Sequence, residues 1–265
     1  SYSSAASDVY KRQIHYYGRK GKYIIDIARE NISELINTNK NNIIFTGSAT
    51  EAINMLFKNF DTIVVSAIEH LAVLSSSRSN HIIPVNQDGI VDLSILELYL
   101  KKLIKSNKKI LVSVMWVNNE TGVIQPIKDV VEIAKKYGCL VHCDAAQALG
   151  KVKINLEEIE LDFLTLSGHK IGAPTGIGAL VYNNDINLTP LILGGGQEKG
   201  MRAGTENILG IRGFGEAAKF VNNSKENNCS KVKFLRDYFQ KIIKNLSPET
   251  IIFGEKANRV SNTLL

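Results

Sequence analysis

The stretch LTLSGHKIGAPTGIGALVY, from Leu164 to Tyr182, places one short apolar run before a segment rich in Gly and Pro and a second run after it. Apolar runs bounded by turn residues are typical of buried strands. The first run ends near Ser167 and delivers Lys170 at the exit of the strand. There a partly desolvated lysine can hold the aldehyde of pyridoxal phosphate (PLP) as a Schiff base, although a surface lysine in a loop fits these residues equally well.

The same alternation of apolar runs and helical patterns extends along the chain on both sides. PIKDVVEIAKKYG (126–138) is a helix opened by Pro and closed by Gly. Strands are predicted in NIIFTG (42–47), HIIPV (81–85), CLVHCDAAQ (139–147) and RVSNTLL (259–265). TIVVSAIEH (62–70) is predicted as a strand with a loop, and KILVSVMWVNNETG (109–122) as a strand that ends in a polar loop. Near-continuous apolar strands alternating with helices predict an α/β fold with a mainly parallel sheet covered on both faces.

Polar clusters follow several of these strands, where ligands bind in such sheets. TGSATE (46–51) joins a strand to a helix and suits a phosphate group, although a capping box without a ligand explains it too. Asp144, 26 residues before Lys170, can pair with the ring nitrogen of PLP or merely cap a helix.

Two further polar residues follow neighbouring strands. His70 can stack on a cofactor ring and act as an acid or base, or it is a satisfied loop histidine. Asn118 can bind a ring hydroxyl or a substrate, or belong to a plain polar turn. In the glycine-rich loop 193–207, Arg202 can clamp a carboxylate or phosphate, while a flexible surface loop is the alternative.

Composition restricts the function classes and the compartment. The net charge is +6, but the lysines are interleaved with acids, so we expect a solvated surface and no nucleic-acid partner. No apolar run is long enough for a membrane span, and no secretory signal is visible. Three cysteines, Cys139, Cys143 and Cys229, argue for a reducing, cytoplasmic location. A metal at His142 and Cys143 is disfavoured because neighbouring strand residues face opposite ways.

Seven ordered motifs resemble the cysteine desulfurase family, within the class V aminotransferase group of fold type I PLP enzymes. They are IHYYGRKGK, FTGSATEAIN, EHLAVL, VNNETGVIQPI, HCDAAQALGKVKIN, LSGHKIGAPTGIGALVY and GGGQEKGMRAGTENILGI. The resemblance runs from about Ile14 to Leu265. It implies a seven-stranded sheet, a PLP cofactor and the conversion of L-cysteine to L-alanine, with sulfur left as an enzyme persulfide for iron–sulfur or thio-cofactor assembly.

The resemblance also implies a role for each site residue. Lys170 and His70 would be catalytic, as the PLP lysine and as the ring-stacking acid or base. Thr205 would reach the phosphate in a neighbouring subunit of a homodimer. The other residues expected to hold the cofactor are Ala49, Thr50, Asn118, Asp144, Gln147, Ser167 and His169. The implied partners are L-cysteine and a sulfur acceptor or iron–sulfur scaffold protein, without a membrane.

The chain departs from the family pattern at both ends. Residues 1–13 lack the family's opening motif and look non-native, so we expect a large PLP-binding domain over 14–225 and the start of a truncated small domain over 226–265. No cysteine here matches the family's nucleophile, since Cys229 comes too early. Selenocysteine lyase activity, another class V activity and an inactive fragment that retains only the fold remain as alternatives.

Overall fold

A computed structural model describes residues 16–79, 81–106, 108–182, 185–224 and 227–265, and a seven-stranded sheet forms its centre. The strands are β1 (Ile43–Thr46), β2 (Thr62–Ser66), β3 (His81–Ile83), β4 (Ile110–Ser113), β5 (Leu140–Asp144), β6 (Phe163–Ser167) and β7 (Gly178–Tyr182). Their order is β1-β7-β6-β5-β4-β2-β3. Only β7, among these strands, runs antiparallel to its neighbours. The predicted mainly parallel α/β sheet of seven strands is therefore confirmed.

Helices connect the strands and cover the sheet. They are α1 (Tyr16–Ile36), α2 (Ala49–Phe57), α3 (Leu71–Ser77), α4 (Leu93–Leu103), α5 (Ile127–Lys136), α6 (Ile208–Asn223) and α7 (Asn227–Leu246). Short 3-10 helices lie at Lys40–Asn42, Gly168–Ile171 and Gln197–Gly200. Helix α5 ends as predicted, because Gly138 takes a positive φ of 66° just beyond it.

Both faces of the sheet are buried, in two separate apolar clusters. Ile43 and Phe45 of β1 belong to one cluster and Ile44 to the other, as the alternation of side chains along a strand requires. Helices α1 and α6 pack closely on the first face, where a Cβ on Gly215 would lie 2.4 Å from Ala28 Cα. Within the described residues, no helix is both long and apolar enough to cross a membrane.

The outer edge of β1 is closed by a buried ion pair. Arg29 of α1 donates to both carboxylate oxygens of Glu198, at 3.1 and 2.7 Å, and also bonds the carbonyl oxygen of Ile43. Glu198 accepts a 2.7 Å hydrogen bond from the Phe45 N–H. Glu198 (φ 45°) and Lys199 (φ 59°) both take left-handed conformations, so the glycine-rich loop turns sharply at this anchor.

The strand register places the end of β1 and the end of β6 on either side of the start of β7. Gly178 of β7 pairs with Thr46 of β1 on one side and with Ser167 of β6 on the other. A Cβ on Gly178 would lie 2.6 Å from the carbonyl carbon of Ser48 and 2.7 Å from the Ala49 nitrogen. A glycine is therefore required where β7 passes beneath the loop that precedes α2.

The C-terminal segment differs from the prediction of a strand over 259–265. It makes one isolated bridge, between Arg259 and Val123, and does not join the sheet. Its backbone bonds instead to the loop after β4, through Val260 N to Gly122 O and Ile124 N to Asn258 O. The expected non-native segment 1–13 lies outside the described residues, and the division into domains 14–225 and 226–265 stays a prediction.

Candidate active site

The loop before α2 presents backbone donors at one end of the sheet. Ser48 caps α2, since its Oγ accepts from the Glu51 N–H at 3.1 Å. Within the described residues, the N–H groups of Ala49 and Thr50 donate to no protein acceptor. Two free N–H groups at the N-terminus of a helix form a binding site for an anion such as phosphate.

The turn after β6 carries three of the predicted residues beside this loop. Ser167 is buried at the end of β6, and its Oγ lies 3.1 Å from His169 Nδ1. His169 and Lys170 are exposed on the 3-10 turn that follows. The sequence argument expected a partly desolvated lysine, but the short turn carries Lys170 past the sheet to its open edge. Its amine forms no hydrogen bond or ion pair with any other described residue.

Asp144 is the buried carboxylate at the centre of this edge. It ends β5 and is 5% exposed, and its Oδ1 accepts from the Ala146 N–H at 2.9 Å. Burial raises the pKa of Asp144, while the Ala146 hydrogen bond and the charges of His70 and Lys170 act against that rise. Those charge interactions mean that the structure brings Asp144, His70 and Lys170 together, as predicted from their positions after the strands.

His70 is the first residue before α3 and is exposed toward the edge of the sheet. Its Nδ1 accepts a 3.1 Å hydrogen bond from the Ala72 N–H, which caps the helix. A neutral ring held this way carries its proton on Nε2. The helix cap therefore fixes the tautomer and turns the proton-bearing nitrogen away from the backbone.

Gln147 lies just after Asp144 and is oriented by a lysine that the sequence analysis did not single out. Lys151 donates to Gln147 Oε1, which leaves the Gln147 amide nitrogen as a donor. Burial lowers the pKa of Lys151, and the charge of Lys170 lowers it further. This places Lys151 near the predicted PLP lysine.

Asn118 is buried, and its side chain is engaged by the protein itself. Its Oδ1 accepts from the Glu120 N–H at 3.0 Å, the Thr121 N–H at 2.9 Å and the Thr121 hydroxyl at 3.0 Å. Its Nδ2 donates to the Ile68 carbonyl at 3.0 Å. The polar-turn interpretation describes these contacts, which tie the loop after β4 to the loop that carries His70.

The glycine-rich loop approaches the loop before α2 in its own chain. Thr205 is exposed and lines a cleft of about 120 Å³ together with Thr46 and Gly47. Arg202 does not stand free for a ligand, because its Nε pairs with Glu51 Oε1 at 2.8 Å. The expected clamp on a carboxylate or phosphate is replaced by an ion pair that fastens the loop to α2.

The cysteines of the core and their histidine neighbour are structural. Cys139 and Cys143 are buried, and burial raises the pKa of both thiols. His142 lies between Ser113 Oγ and Thr165 Oγ1, each at 2.8 Å, and burial lowers its pKa to about 3. Within the described part of the chain, no cluster of ligating side chains could hold a metal ion.

The residues at this edge fit PLP. The free N–H groups before α2 suit its phosphate, and the close approach of Gly178 keeps that loop in place. Asp144 suits the ring nitrogen and the unpaired Lys170 amine suits the aldehyde. Sequence reasoning missed Gly178, Lys151 and the buried Glu69; of these, only Gly178 gave a signal, as a glycine opening a strand.

Comparisons with known proteins identify the family and the fold. The family model described as aminotransferase class-V matches residues 1–264. A cysteine desulfurase IscS of Ehrlichia chaffeensis is 39% identical over 268 residues, covering 94% of this chain and 64% of that protein. The cysteine desulfurase IscS 1 of Archaeoglobus fulgidus is 37% identical, with coverages of 95% and 68%. An X-ray structure of a NifS-like protein from Rickettsia africae superposes with a TM-score of 0.90 at 38% identity, covering 95% of this chain and 72% of that one. The chain thus spans about two thirds of the length of these curated relatives.

Proposed function

Since the chain belongs to the cysteine desulfurase family of class-V aminotransferases, we propose that the protein uses PLP to convert L-cysteine to L-alanine and retains the sulfur as a persulfide. The observation that carries the proposal is the buried carboxylate of Asp144 at the end of β5, with Lys170 in the turn after the adjacent parallel strand β6 and a pair of helix N–H donors that have no acceptor among the described residues. A lysine, a carboxylate and an anion site at one sheet edge are what the reaction requires of the protein.

Each residue then has a defined task. The N–H groups of Ala49 and Thr50, with Ser167 and His169, would hold the phosphate. Asp144 would place a negative charge at the ring nitrogen, which would keep that nitrogen protonated. When bound, PLP supplies the electron-withdrawing ring that stabilises negative charge on the substrate Cα.

The other residues orient the ring and move protons. Gln147 would donate its free amide N–H to the ring hydroxyl, and the loop contacts of Asn118 would support the same region. Lys170 Nζ would remove and return the proton at the substrate Cα. The His70 ring, whose Nδ1 caps a helix, would stack beside the cofactor ring, and its Nε2 would exchange a proton with the substrate.

Sulfur transfer needs a thiolate within reach of the substrate. That thiolate would form an S–S bond to the substrate Sγ as the Cβ–Sγ bond breaks; the electron pair left on Cβ takes up a proton, which gives L-alanine and an enzyme persulfide. Cys139 and Cys143 are poor candidates, because burial raises the pKa of both thiols and keeps them from substrate. We propose that another cysteine of the functional protein accepts the sulfur.

The assembly and location belong to the same proposal. The exposed Thr205 would contact the phosphate bound by a second subunit, so the functional unit would be a homodimer. We propose a sulfur acceptor or iron–sulfur scaffold protein as the downstream partner, which would receive the sulfur that a cysteine desulfurase, as the relatives are named, releases from cysteine. A reducing, cytoplasmic compartment suits a persulfide enzyme.

Spectroscopy tests the cofactor and its lysine together. The wild-type chain incubated with PLP should show the visible absorbance of the lysine-bound cofactor, and Lys170→Ala should lose it, while Lys153→Ala, at an exposed lysine, retains it. Alanine formation from L-cysteine, assayed on the functional enzyme, should disappear in Lys170→Ala only. An unchanged chromophore in Lys170→Ala would refute the assignment, and turnover of selenocysteine in preference to cysteine would favour the lyase alternative.

A further inference from the structure

Glu69 is a buried carboxyl group for which the proposed reaction has no task. It directly precedes His70 and is 6% exposed. Its Oε1 accepts two short hydrogen bonds, from Ser66 Oγ and from the Met115 N–H, both at 2.6 Å. Its other oxygen, Oε2, is buried and has no hydrogen-bond partner. A carboxylate left half unpaired in the interior is costly, so the charge state of Glu69 needs an explanation.

The surroundings of Glu69 oppose a negative charge. The titratable groups that interact with it are Asp144 and Cys143, both on β5, and a negative charge on either is repelled. Within the described residues, Glu69 forms no ion pair. Burial raises the pKa of Glu69 to about 8 against the two hydrogen bonds, and the charge of Asp144 contributes to the rise.

We propose that Glu69 is a positioning residue that stays protonated, ties the loop carrying His70 to the end of β4 and leaves Asp144 as the one ionised carboxylate of the pair. The inference rests on the proposed PLP site for its consequence. A protonated carboxyl has a carbonyl oxygen that accepts from Ser66 and Met115, and an O–H that can donate to an ordered water or ligand atom. A neutral acid therefore fits the observed contacts better than a carboxylate does.

The consequence for the site follows from charge. Two ionised carboxylates sharing a buried site repel each other, which raises the pKa of both. With Glu69 neutral, the negative charge of Asp144 is stabilised by His70 and Lys170 and stays available to a ring nitrogen. Ionisation of Glu69 at high pH would weaken that arrangement and loosen the link to β4.

The variant Glu69→Gln separates a neutral acid from a carboxylate. Its amide oxygen can accept from Ser66 and Met115, and its NH₂ replaces the O–H, but it cannot ionise. Glu132→Gln, at an exposed glutamate of α5, is the matched control. Glu69→Leu removes the acceptor and reports on the hydrogen bonds alone.

The first measurement uses the cofactor-free chain, so it does not depend on the proposed function. A carboxyl whose folded-state pKa is raised stabilises the folded chain at low pH, and that stability is lost as the pH rises through the folded pKa. The melting temperature of wild type and Glu132→Gln should therefore fall relative to Glu69→Gln between about pH 4.5 and about pH 8, and level off above that range. At pH 7, Glu69→Gln should be at least as stable as wild type, because it has no ionised form to favour the unfolded chain, while Glu69→Leu melts earlier than Glu69→Gln.

A second measurement follows the ionisation of Glu69 directly in the wild-type chain by NMR. In the chain labelled with ¹³C at glutamate side chains, one carboxyl resonance should titrate well above the others and vanish in Glu69→Gln. The proposal is overturned if every glutamate titrates below pH 6, or if Glu69→Gln destabilises the chain at pH 7 as much as Glu69→Leu.

PLP titrations connect the residue to the site. The dissociation constant of PLP should change less than about threefold in Glu69→Gln at pH 7 and should lose the weakening that wild type shows above pH 8. A pH dependence of PLP binding that persists in Glu69→Gln contradicts the link to Asp144. If no variant binds PLP, the proposed function fails while the cofactor-free measurements still decide the state of Glu69.

Discussion

The ion pair between Arg29 and Glu198 makes a sharp prediction about stability. Glu198→Ala removes the acceptor of two guanidinium bonds and of the Phe45 N–H. The side chains of Arg29 and Glu198 are only 10% and 4% exposed, so the arginine left behind is a poorly solvated charge. Removing one partner of a buried pair costs about 3–5 kcal/mol. The Phe45 N–H, which loses its acceptor, adds little to this loss of stability when water fills the space that the glutamate leaves.

The assay is denaturation of the cofactor-free chain, followed by circular dichroism with urea and with heat. A loss of that size lowers the melting temperature by roughly 6–20 °C for a chain of this length. Glu30→Ala is the control, because it breaks an exposed pair on the same helix, with Lys40 at 3.3 Å. Such pairs contribute about 0–1 kcal/mol. The double variant Arg29→Met/Glu198→Leu should recover part of the loss, since no buried charge then lacks a partner.

The reasoning is refuted if Glu198→Ala costs no more than Glu30→Ala. It also fails if the double variant is less stable than Glu198→Ala, because the loss would then come from packing rather than from an unpaired charge.

Three further predictions concern the sheet and the site. Gly178→Ala should weaken PLP binding by tenfold or more, because the added Cβ would displace the Ser48–Ala49 peptide. The control Gly176→Ala, at φ +78° with open space around it, should lower stability by only about 1–2 kcal/mol. Equal PLP affinities of the two variants would contradict this reasoning. As the pH falls from 6.5 toward 3, His142 should lower the free energy of unfolding by up to about 1.36 kcal/mol per pH unit, because the unfolded chain binds a proton that the buried ring does not. His142→Asn should lose this pH dependence in urea titrations. Cys139 and Cys143 should resist alkylation at pH 7.5 until the chain unfolds, and peptide mapping of native protein with either thiol labelled would contradict their burial.

The alternation of apolar runs and helices was enough to predict the sheet, because strands buried on both faces need continuous apolar sequence. It also predicted which loops meet, since the ends of parallel strands lie at one edge. Asp144, His70 and Lys170 were placed near one another on that argument, and their charges do interact. Their individual roles stay predictions.

Contacts between distant segments could not be predicted in this way. Nothing near Arg202 in the sequence indicates that Glu51 takes its charge, and nothing near Arg29 indicates Glu198. Glu69 looked like an ordinary polar loop residue, because burial by β4 and β5 depends on the folded sheet. The segment 259–265 has the composition of a strand, but its backbone is taken up by the loop after β4.

The register of β1 has a consequence for how the protein is made. Ile43 pairs with Val181, and among the described strands β1 is bonded only to β7, which the ribosome adds long after it. The loop before α2 can therefore be held in place by β7 only after the chain through Tyr182 has been synthesised. Pairing between such distant segments is slow, and the early β1 must wait with an open edge. Phosphate binding at the loop before α2 should therefore begin late in folding. During synthesis, its first appearance would mark the pairing of β7 with β1.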